Sequence, residues 1–338
     1  MNTQLVAQVR TAEPVPEPEG QQAIDLCPAC DSPKARLLFE GTDRLYHTTD
    51  KIFRVLECGT CGLIRLSPWP SPVELRQYYP SNYWYVPESD ATSHLEEAYR
   101  RFVLRDHVRF VEQSLVGCGA QGPVLDVGCG GALLLRMLGE RGWPGIGLDF
   151  SLAAAAAAWR QNNVPVICGS LAQAPLPAGS CAAVTMFHVL EHLFDPVSYL
   201  DAARELLHPD GRLVVQVPNA ACWQFLLLGE NWSGVDVPRH LLNFRLKDME
   251  ILLDRSGFEV LRVKHFSLRD NPAGLATSLA PGLDPMARRV RGLAETSRER
   301  LMKDLVYFAL VVAATPFALL EAACRAGSTV MIEARKTA

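Results

Sequence analysis

The chain has 338 residues and carries 33 basic side chains against 37 acidic ones, a formal net charge of −4. This length suffices for one large domain and a small one. A protein that binds nucleic acid through its phosphates usually has a basic excess, so the charge disfavours a nucleic-acid partner. Four of the ten cysteines form two C-x-x-C pairs, which indicates a metal site in a reducing cytoplasm rather than a secreted disulfide scaffold.

The N-terminal part of the chain is predicted to be a disordered leader followed by a metal-binding module. Residues 1–22 are polar and proline-rich and lack the apolar core of a signal peptide, so a cytoplasmic location is expected. Residues 23–68 combine short strand patterns with two C-x-x-C turns, whose thiolates belong to Cys27, Cys30, Cys58 and Cys61. Two such turns complete a tetrahedral site, which predicts a structural Zn²⁺ rather than a redox dithiol pair or an iron–sulfur site.

Residues 69–120 are predicted to form an aromatic, proline-rich linker and a bridging helix over 93–115. From 121 to 338, strand patterns alternate with helix patterns, which predicts an α/β fold with a parallel sheet covered by helices. Predicted strands cover 124–127, 145–149, 164–167, 182–187, 212–217, 258–265 and 329–334. Predicted helices cover 133–141, 152–162, 196–207 and 246–256, and a helical insert over 268–327 precedes the last strand.

The first predicted strand of this region runs into a glycine-rich turn, the sequence DVGCGGA at 126–132. Glycines let the backbone turn sharply and approach a bound ligand without a clash of Cβ. The second strand ends in Asp149, whose carboxylate can accept two hydrogen bonds from ribose hydroxyls. A glycine turn alone is also typical of dinucleotide-binding enzymes, and Asp126 and Asp149 make the prediction more specific.

With these segments the chain resembles the class I S-adenosylmethionine (AdoMet)-dependent methyltransferases. The resemblance covers roughly residues 120–265 and the last strand, and it is strongest at DVGCGGA, GLDFS, TMFHVLEHL and HPDGRLVVQVPN. It implies a Rossmann-like seven-stranded sheet with AdoMet as the cofactor. The implied contacts are Asp126, Gly128, Cys129 and Gly130 at the methionine end, Asp149 at the ribose, Phe150 as a further contact, Ser170 at the adenine and His188 beside the sulfonium. Ala132 and Ser170 depart from the family pattern, which usually has a third glycine and an aspartate there.

Three candidate catalytic histidines follow predicted strands, at the edge where an open α/β sheet binds its ligands. His188 and His192 come after the fourth strand, with Glu191 between them, and His240 comes after the fifth. Methyl transfer to a hydroxyl gains from a general base, a role that suits an imidazole. One alternative is that these histidines are hydrogen-bonded wall residues. Another is that a Glu/His pair holds a divalent metal that polarises a catecholic acceptor, as in ubiquinone-type O-methyltransferases.

His240 belongs to the segment WSGVDVPRHL at 232–241, which resembles a W…DxPRHL stretch of this methyltransferase group. Its position after the fifth strand places it at the predicted substrate mouth. Arg239 is predicted to bind an anionic group of the acceptor through bidentate hydrogen bonds. The alternative is a loop that is held in place by a pair between Arg239 and an aspartate.

The helical insert contains an uncharged apolar run at 305–320, which is short for a membrane span and is interrupted by Pro316. Basic residues outnumber acidic ones just before it: Arg288, Arg289, Arg291, Arg298, Arg300 and Lys303. Such a segment suits an anionic bilayer, which predicts peripheral association of 285–320 with the inner face of the membrane. The alternatives are a cap over an apolar substrate and plain packing on the sheet through Val306, Leu310, Ala313, Phe317 and Leu320.

These observations predict an AdoMet-dependent methyltransferase that acts on a small-molecule, saccharide or lipid-linked acceptor, with O-methylation favoured over C- or N-methylation. Two other hypotheses stay open at this point. An RNA-modifying methyltransferase would use the four-cysteine module to dock on its substrate. A non-catalytic scaffold would keep the AdoMet-binding fold without turnover.

Overall fold

The structure, a computed structural model, describes residues 26–80, 83 and 93–337. The leader predicted over 1–22 and part of the aromatic linker lie outside the described residues. The strands are β1 (Ala35–Gly41), β2 (Phe53–Cys58), β3 (Ile64–Ser67), β4 (Val124–Val127), β5 (Gly145–Asp149), β6 (Val166–Cys168), β7 (Cys181–Phe187), β8 (Leu207–Pro218), β9 (Leu242–Asn243), β10 (Phe258–Lys264) and β11 (Thr329–Lys336). The α-helices are α1 (Pro72–Gln77), α2 (Ser93–Val116), α3 (Leu133–Gly139), α4 (Leu152–Asn162), α5 (Pro196–Leu206), α6 (Trp223–Leu228), α7 (Leu246–Arg255), α8 (Asn271–Leu279), α9 (Pro285–Val290) and α10 (Ser297–Ala323).

Seven strands form the large sheet, in the order β10-β11-β8-β7-β4-β5-β6, which confirms the predicted α/β fold. The strands β4, β5, β6, β7 and β8 run parallel, and β11 is antiparallel to β8 and β10. Helices α2 and α3 pack on one face and α5 and α7 on the other. The strand order reverses at β4, between β5 and β7, and open α/β sheets bind their ligands at such a switch point.

Local sequence signals account for the boundaries of several elements. The side chain of Ser151 accepts a hydrogen bond from the N–H of Ala154 at 3.2 Å, which is the cap predicted for α4. Thr296 and Glu299 form a capping box at the start of α10. The strands predicted for the large sheet are confirmed to within a few residues, and the largest difference is that β8 begins at Leu207 rather than at 212.

The four-cysteine module contains a second sheet, with the strand order β1-β2-β3-β9. Its last strand, β9, consists of only Leu242 and Asn243, which pair with Arg65 and Ile64 of β3. Because β9 comes from the loop after β8, the large domain supplies an edge strand to the module. A single hydrophobic core extends from the small sheet to one face of the large sheet. The module is therefore packed into the large domain.

The insert between β10 and β11 forms α8, α9 and α10. Helix α10 has 27 residues and continues through Pro316, so the predicted interruption at Pro316 is wrong. By length and composition alone, this helix could cross a membrane. It packs along α8, and its buried residues are Val311, Ala314, Ala318 and Glu321. The predicted packing set is also wrong, because Val306 and Leu320 are 47% and 56% exposed.

Candidate functional site

The glycine-rich turn lies between β4 and α3, at the switch point of the large sheet. Gly128 and Gly130 have φ angles of 73° and 51°, in the left-handed region that glycine adopts without strain. The N–H of Gly128 donates to the carbonyl of Leu148 at 2.7 Å, which ties the turn to β5. A Cβ on Gly130 would meet no heavy atom within 4 Å. The turn therefore leaves open space in which a ligand can approach the backbone.

Cys129, which is expected to contact the cofactor, also shapes the turn. A Cβ on Gly147 of β5 would lie 2.4 Å from Sγ of Cys129, so the thiol fills the space above that glycine. The N–H of Cys129 donates to Leu148 at 3.2 Å, and its carbonyl accepts from the N–H of Ala132 at 2.8 Å. These contacts engage the polar groups of Cys129 within the protein. Ala132 has a φ of 57°, a conformation that favours the glycine usual at this position.

Asp149 ends β5 with its side chain beside the turn and is only 3% exposed. One carboxylate oxygen accepts from the N–H of Gly130 at 2.9 Å, and the other accepts from the N–H of Ser151 at 2.8 Å. Burial raises the pKa of Asp149, and the two N–H bonds offset part of the rise. Each oxygen has two lone pairs, so the carboxylate can still accept hydrogen bonds from ribose hydroxyls. The residues present therefore fit a nucleoside cofactor.

The other predicted cofactor residues lie at the same edge of the sheet. Asp126 accepts a hydrogen bond from Oγ1 of Thr185 at 2.6 Å, and burial, with a further contribution from the charge of Asp149, raises its pKa to about 7. Phe150 follows β5 and is 63% exposed, and Ser170 follows β6. Because parallel strands end together, these side chains surround the open turn. Their contact with the cofactor stays a prediction.

His188 follows β7 and faces carboxylates on both ring nitrogens. Its Nδ1 lies 3.1 Å from Oε1 of Glu191, and its Nε2 lies 3.6 Å from Oδ1 of Asp270 and 2.8 Å from the amide nitrogen of Gln216. Burial lowers the pKa of His188, but Asp270 and Glu191 outweigh it and raise the pKa to about 9. The imidazole is therefore protonated at neutral pH. The catalytic role of His188 stays a prediction.

The sequence pattern does not indicate Asp270 or Gln216 as site residues. Asp270 immediately precedes α8 in the insert, 54 residues after Gln216, and it accepts a hydrogen bond from the Gln216 amide at 2.8 Å. Burial favours the protonated forms of Asp270 and Glu191, but the charge of His188 and, for Asp270, that of Arg269 hold both pKa values below their usual range. Nε of Arg269 lies 3.6 Å from Oδ1 of Asp270, so two cations balance the two carboxylates of this cluster.

His192 and His240 pack against each other, with ring centroids 4.6 Å apart. Nδ1 of His240 lies 2.8 Å from the carbonyl oxygen of Gly234, and Nδ1 of His192 lies 3.0 Å from that of Arg239. A carbonyl only accepts, so in the neutral form of each ring the proton lies on Nδ1 and the lone pair on Nε2. Burial, and then the neighbouring His240, lower the pKa of His192 to about 4, which makes it a weak base.

Glu191, His192 and His240 also form a group that could hold a metal ion, with one ligand atom of each within 4.8 Å of the others. Among the described residues, Oε2 of Glu191 is buried and has no hydrogen-bond partner. One carboxylate and two imidazoles suit a divalent transition metal. His240, on the loop after β8, would thus be a third ligand beside Glu191 and His192, the Glu/His pair that the sequence indicates.

Arg239 is fully buried, and two carboxylates bind its guanidinium. Nη1 and Nη2 donate to the two oxygens of Asp43 at 2.9 and 2.8 Å, and Nη2 donates to Asp236 at 2.6 Å. The guanidinium carbon also lies 4.3 Å from the ring centroid of Tyr46. The prediction that Arg239 binds an anionic acceptor is therefore wrong. The structure shows the alternative, a loop held by an Arg–Asp pair, with Asp43 of the four-cysteine module as an additional partner.

Replacing Asp43 with asparagine is expected to lower the free energy of unfolding by about 3–5 kcal/mol, because buried Arg239 would lose a counter-charge. Burial raises the pKa of Asp43, but Arg239 outweighs it and lowers the pKa from 3.8 to about 2. The stabilisation is therefore complete above pH 3.8 and is lost as the pH falls through 2. Urea unfolding at neutral pH measures the change. Asp50→Asn, at an exposed carboxylate of the same module, is the control, and equal stability of the two variants would contradict the expectation.

The four cysteines of the module converge on one point. Sγ of Cys27 lies 3.6 Å from that of Cys61, Sγ of Cys30 lies 3.6 Å from that of Cys58, and all four sulfurs lie within 4.8 Å of one another. A tetrahedral site with Zn–S bonds of about 2.3 Å places its sulfurs about 3.8 Å apart. Burial raises the pKa of Cys27 to about 12, so this thiol stays protonated unless a cation is bound. The donor set and its spacing fit Zn²⁺.

The methyltransferase-domain family matches residues 93–263, half of the chain. The chain belongs to this family, and its seven-stranded sheet is the fold of the class I enzymes. Over 141 residues, the chain is 30% identical to a protein of Mycolicibacterium smegmatis named "Probable S-adenosylmethionine-dependent methyltransferase". The match covers 40% of this chain and 52% of that protein.

A second relative is a ubiquinone biosynthesis O-methyltransferase of Psychrobacter arcticus, 32% identical over 172 residues, with 44% of this chain and 64% of that protein covered. The chain therefore spans between half and two thirds of the length of these two relatives. Among solved structures, a SAM dependent methyltransferase from Archaeoglobus fulgidus is similar, with a TM-score of 0.46 and 18% identity. That similarity covers 73% of this chain and all of the other chain.

Proposed function

We propose that this chain transfers a methyl group from AdoMet to a hydroxyl of a small-molecule, saccharide or lipid-linked acceptor. The observation that carries the proposal is the meeting of three features at one edge of the sheet. They are an open glycine turn, the buried carboxylate of Asp149, and the imidazole of His240, whose Nδ1 faces the carbonyl oxygen of Gly234. When bound, AdoMet supplies the electrophilic methyl group, so the protein has to orient the reactants and complement their charge.

On the cofactor side, Asp149 accepts hydrogen bonds from the ribose hydroxyls, and the glycine turn holds the methionine end. His188 lies beside the sulfonium, as the resemblance to the family implies. The carboxylates of Glu191 and Asp270 then lie near the sulfonium and complement its positive charge. The two ionised carboxylates therefore contribute to AdoMet binding. Another residue has to take up the proton of the acceptor hydroxyl.

On the acceptor side, His240 is the general base. The carbonyl of Gly234 fixes the tautomer of His240, so that the lone pair on Nε2 can take the hydroxyl proton as the acceptor oxygen attacks the methyl carbon. His192 is the second choice, because its lowered pKa makes it less basic. The ubiquinone biosynthesis O-methyltransferases among the relatives support oxygen as the acceptor atom.

A second mechanism for the same function is favoured by the spacing of Glu191, His192 and His240. A divalent ion held by these three residues would lower the pKa of an acceptor hydroxyl directly. In that mechanism both histidines are ligands, and neither takes up the proton. The two mechanisms therefore differ in how the His192 and His240 variants behave.

The test of the proposed function is formation of S-adenosylhomocysteine with panels of acceptors. Phenols and catechols, saccharides and polyprenol-linked hydroxyl compounds are compared with matched amines and with total RNA. Turnover that is confined to hydroxyl acceptors and yields a methyl ether is expected. Methylation of RNA, with RNA binding at two salt concentrations, would instead support the RNA-modifying hypothesis. Binding of AdoMet without turnover on any acceptor would support the scaffold.

A further inference from the structure

The outer side of α10 is apolar along most of its length. Between residues 301 and 323, all of which the structure describes, the exposed residues are apolar except for Lys303 and Asp304, whose ion-paired side chains are 39% and 43% exposed. The largest of them, Leu301, Leu305, Phe308, Val312, Leu319 and Leu320, are between 50% and 60% exposed. At 1.5 Å per residue this surface, here called the apolar face, is about 33 Å long. A continuous exposed patch of this kind marks an interaction site.

Neighbouring helices extend the apolar face at both ends. The ring of Phe308 lies 6.4 Å from that of Tyr99 on α2, and the ring of Phe317 lies 6.2 Å from that of Trp223 on α6. Helix α6 also carries Leu226, which is 81% exposed. The exposed apolar surface therefore continues from α10 onto α2 and α6.

The opposite side of α10 is fastened to the large domain by polar contacts. Oη of Tyr307 lies 2.8 Å from Oγ1 of Thr277 on α8, and Glu321 accepts a hydrogen bond from the backbone N–H of Gln224 at 2.9 Å. While these contacts hold, the helix cannot cross a bilayer, although its length and composition would allow it. A helix held in this way can only lie along an interface, with its apolar face outwards.

The composition of the apolar face points to lipid rather than to protein. Protein–protein interfaces are about 56–65% apolar and have a polar rim, whereas this face exposes no polar residue from 305 to 323. Exposed Arg298 and Arg300 precede it, with exposed Glu299 between them, and exposed Arg325 follows it. Arginines at the ends of an apolar helix match the anionic head groups of a bilayer.

Only some of the basic residues expected to anchor the insert are available. Arg288 is buried in ion pairs with Glu295 and Asp304, and Arg291 donates to the backbone carbonyls of Arg44 and Leu45. Arg288 and Arg291 are therefore not available to bind a bilayer. Apolar burial has to supply most of the attachment, and the arginines at the ends have to supply a smaller electrostatic part.

We propose that the apolar face of α10 docks the protein on the surface of a lipid bilayer. Helix α8 lies between α10 and the site. Asp270, which immediately precedes α8, contacts His188, and α8 packs along α10. Packed helices have axes about 8–10 Å apart. Docking would therefore place the substrate mouth at a distance from the membrane of roughly one layer of helices. The protein binds without inserting a spanning segment.

Flotation of the full chain with vesicles of phosphatidylcholine and phosphatidylglycerol tests the docking. The unaltered chain is expected to float at low salt and to remain largely bound at high salt. The double variant Leu305→Glu/Val312→Glu, at positions 57% and 55% exposed, is expected to lose at least tenfold in the bound fraction. Val116→Glu is the matched control, because Val116 is 73% exposed and ends α2 about 25 Å from Tyr99.

Circular dichroism and AdoMet binding in the same samples report on folding and on the proposed function separately. Three results would overturn the docking: an unaltered chain that stays at the bottom of the gradient, a double variant that floats as well as the control, or flotation that high salt abolishes completely. The unaltered chain could also fail to float and form a dimer without lipid, while the double variant is monomeric. That result would assign the apolar face to a second copy of the chain instead.

Discussion

Replacing Cys58 with serine is expected to abolish metal binding and to unfold the four-cysteine module. The sulfurs of Cys58 and Cys30 lie 3.6 Å apart, so each is one vertex of a compact site, and three remaining thiolates cannot close a structural tetrahedron. Metal binding contributes on the order of 10 kcal/mol to the folding of such modules. Elemental analysis should find one zinc ion per unaltered chain and none in the variant, which should also be cleaved readily by protease between β1 and β3.

The damage should also reach the substrate mouth. The module supplies Asp43 to buried Arg239, and β9 belongs to its sheet, so the loop that carries His240 loses two supports. The opposite face of the large sheet has its own core, which should keep AdoMet binding measurable. Cys324→Ser, at an exposed cysteine outside the cluster, should retain its zinc. A metal-free chain that is fully folded would contradict the zinc assignment.

Replacing His240 with asparagine is expected to lower kcat by about 10²–10⁴-fold while AdoMet affinity stays nearly unchanged. The asparagine amide can still donate to the carbonyl of Gly234, so the substitution removes the basic lone pair and keeps the loop contact. His188→Asn should behave differently. Loss of the imidazolium beside Glu191 and Asp270 should affect AdoMet binding first, because His188 is already protonated at neutral pH.

His208→Asn serves as the control, because His208 lies at the start of β8, away from the cluster, and is partly exposed. Unchanged kcat in His240→Asn would remove the general base and favour an amine or carbon acceptor. Equal losses in His192→Asn and His240→Asn, with activity of the unaltered chain restored by a divalent ion after chelation, would favour the metal mechanism.

The fold could be predicted where the signals are local. Each strand of the large sheet is an apolar run next to a turn or a helix cap. The N-cap of α4 involves only residues 151–154, from the side chain of Ser151 to the N–H of Ala154. Strand β9 could not be predicted, because Leu242 and Asn243 become a strand only by pairing with Ile64 and Arg65. Two residues carry no periodicity, and their partner lies far away in the sequence.

The same limit applies to the site. Asp149 and the glycine turn belong to one strand-turn-helix unit, and both lie where the sequence indicates. Asp43 pairs with Arg239 across 196 residues, and Asp270 meets Gln216 across 54. The pKa of His188 depends on Asp270, so its protonation state follows from the tertiary structure alone.

Calorimetric titration of AdoMet into the chain and into Asp149→Ala is the most direct test of the cofactor assignment. The unaltered chain should bind one AdoMet. Because Asp149 is buried against the turn and should hold two ribose hydroxyls, its loss should weaken binding by about 2–3 kcal/mol, a change of about 30- to 150-fold in Kd. Equal affinity for AdoMet in the two proteins, or no binding by the unaltered chain, would contradict the assignment of this site.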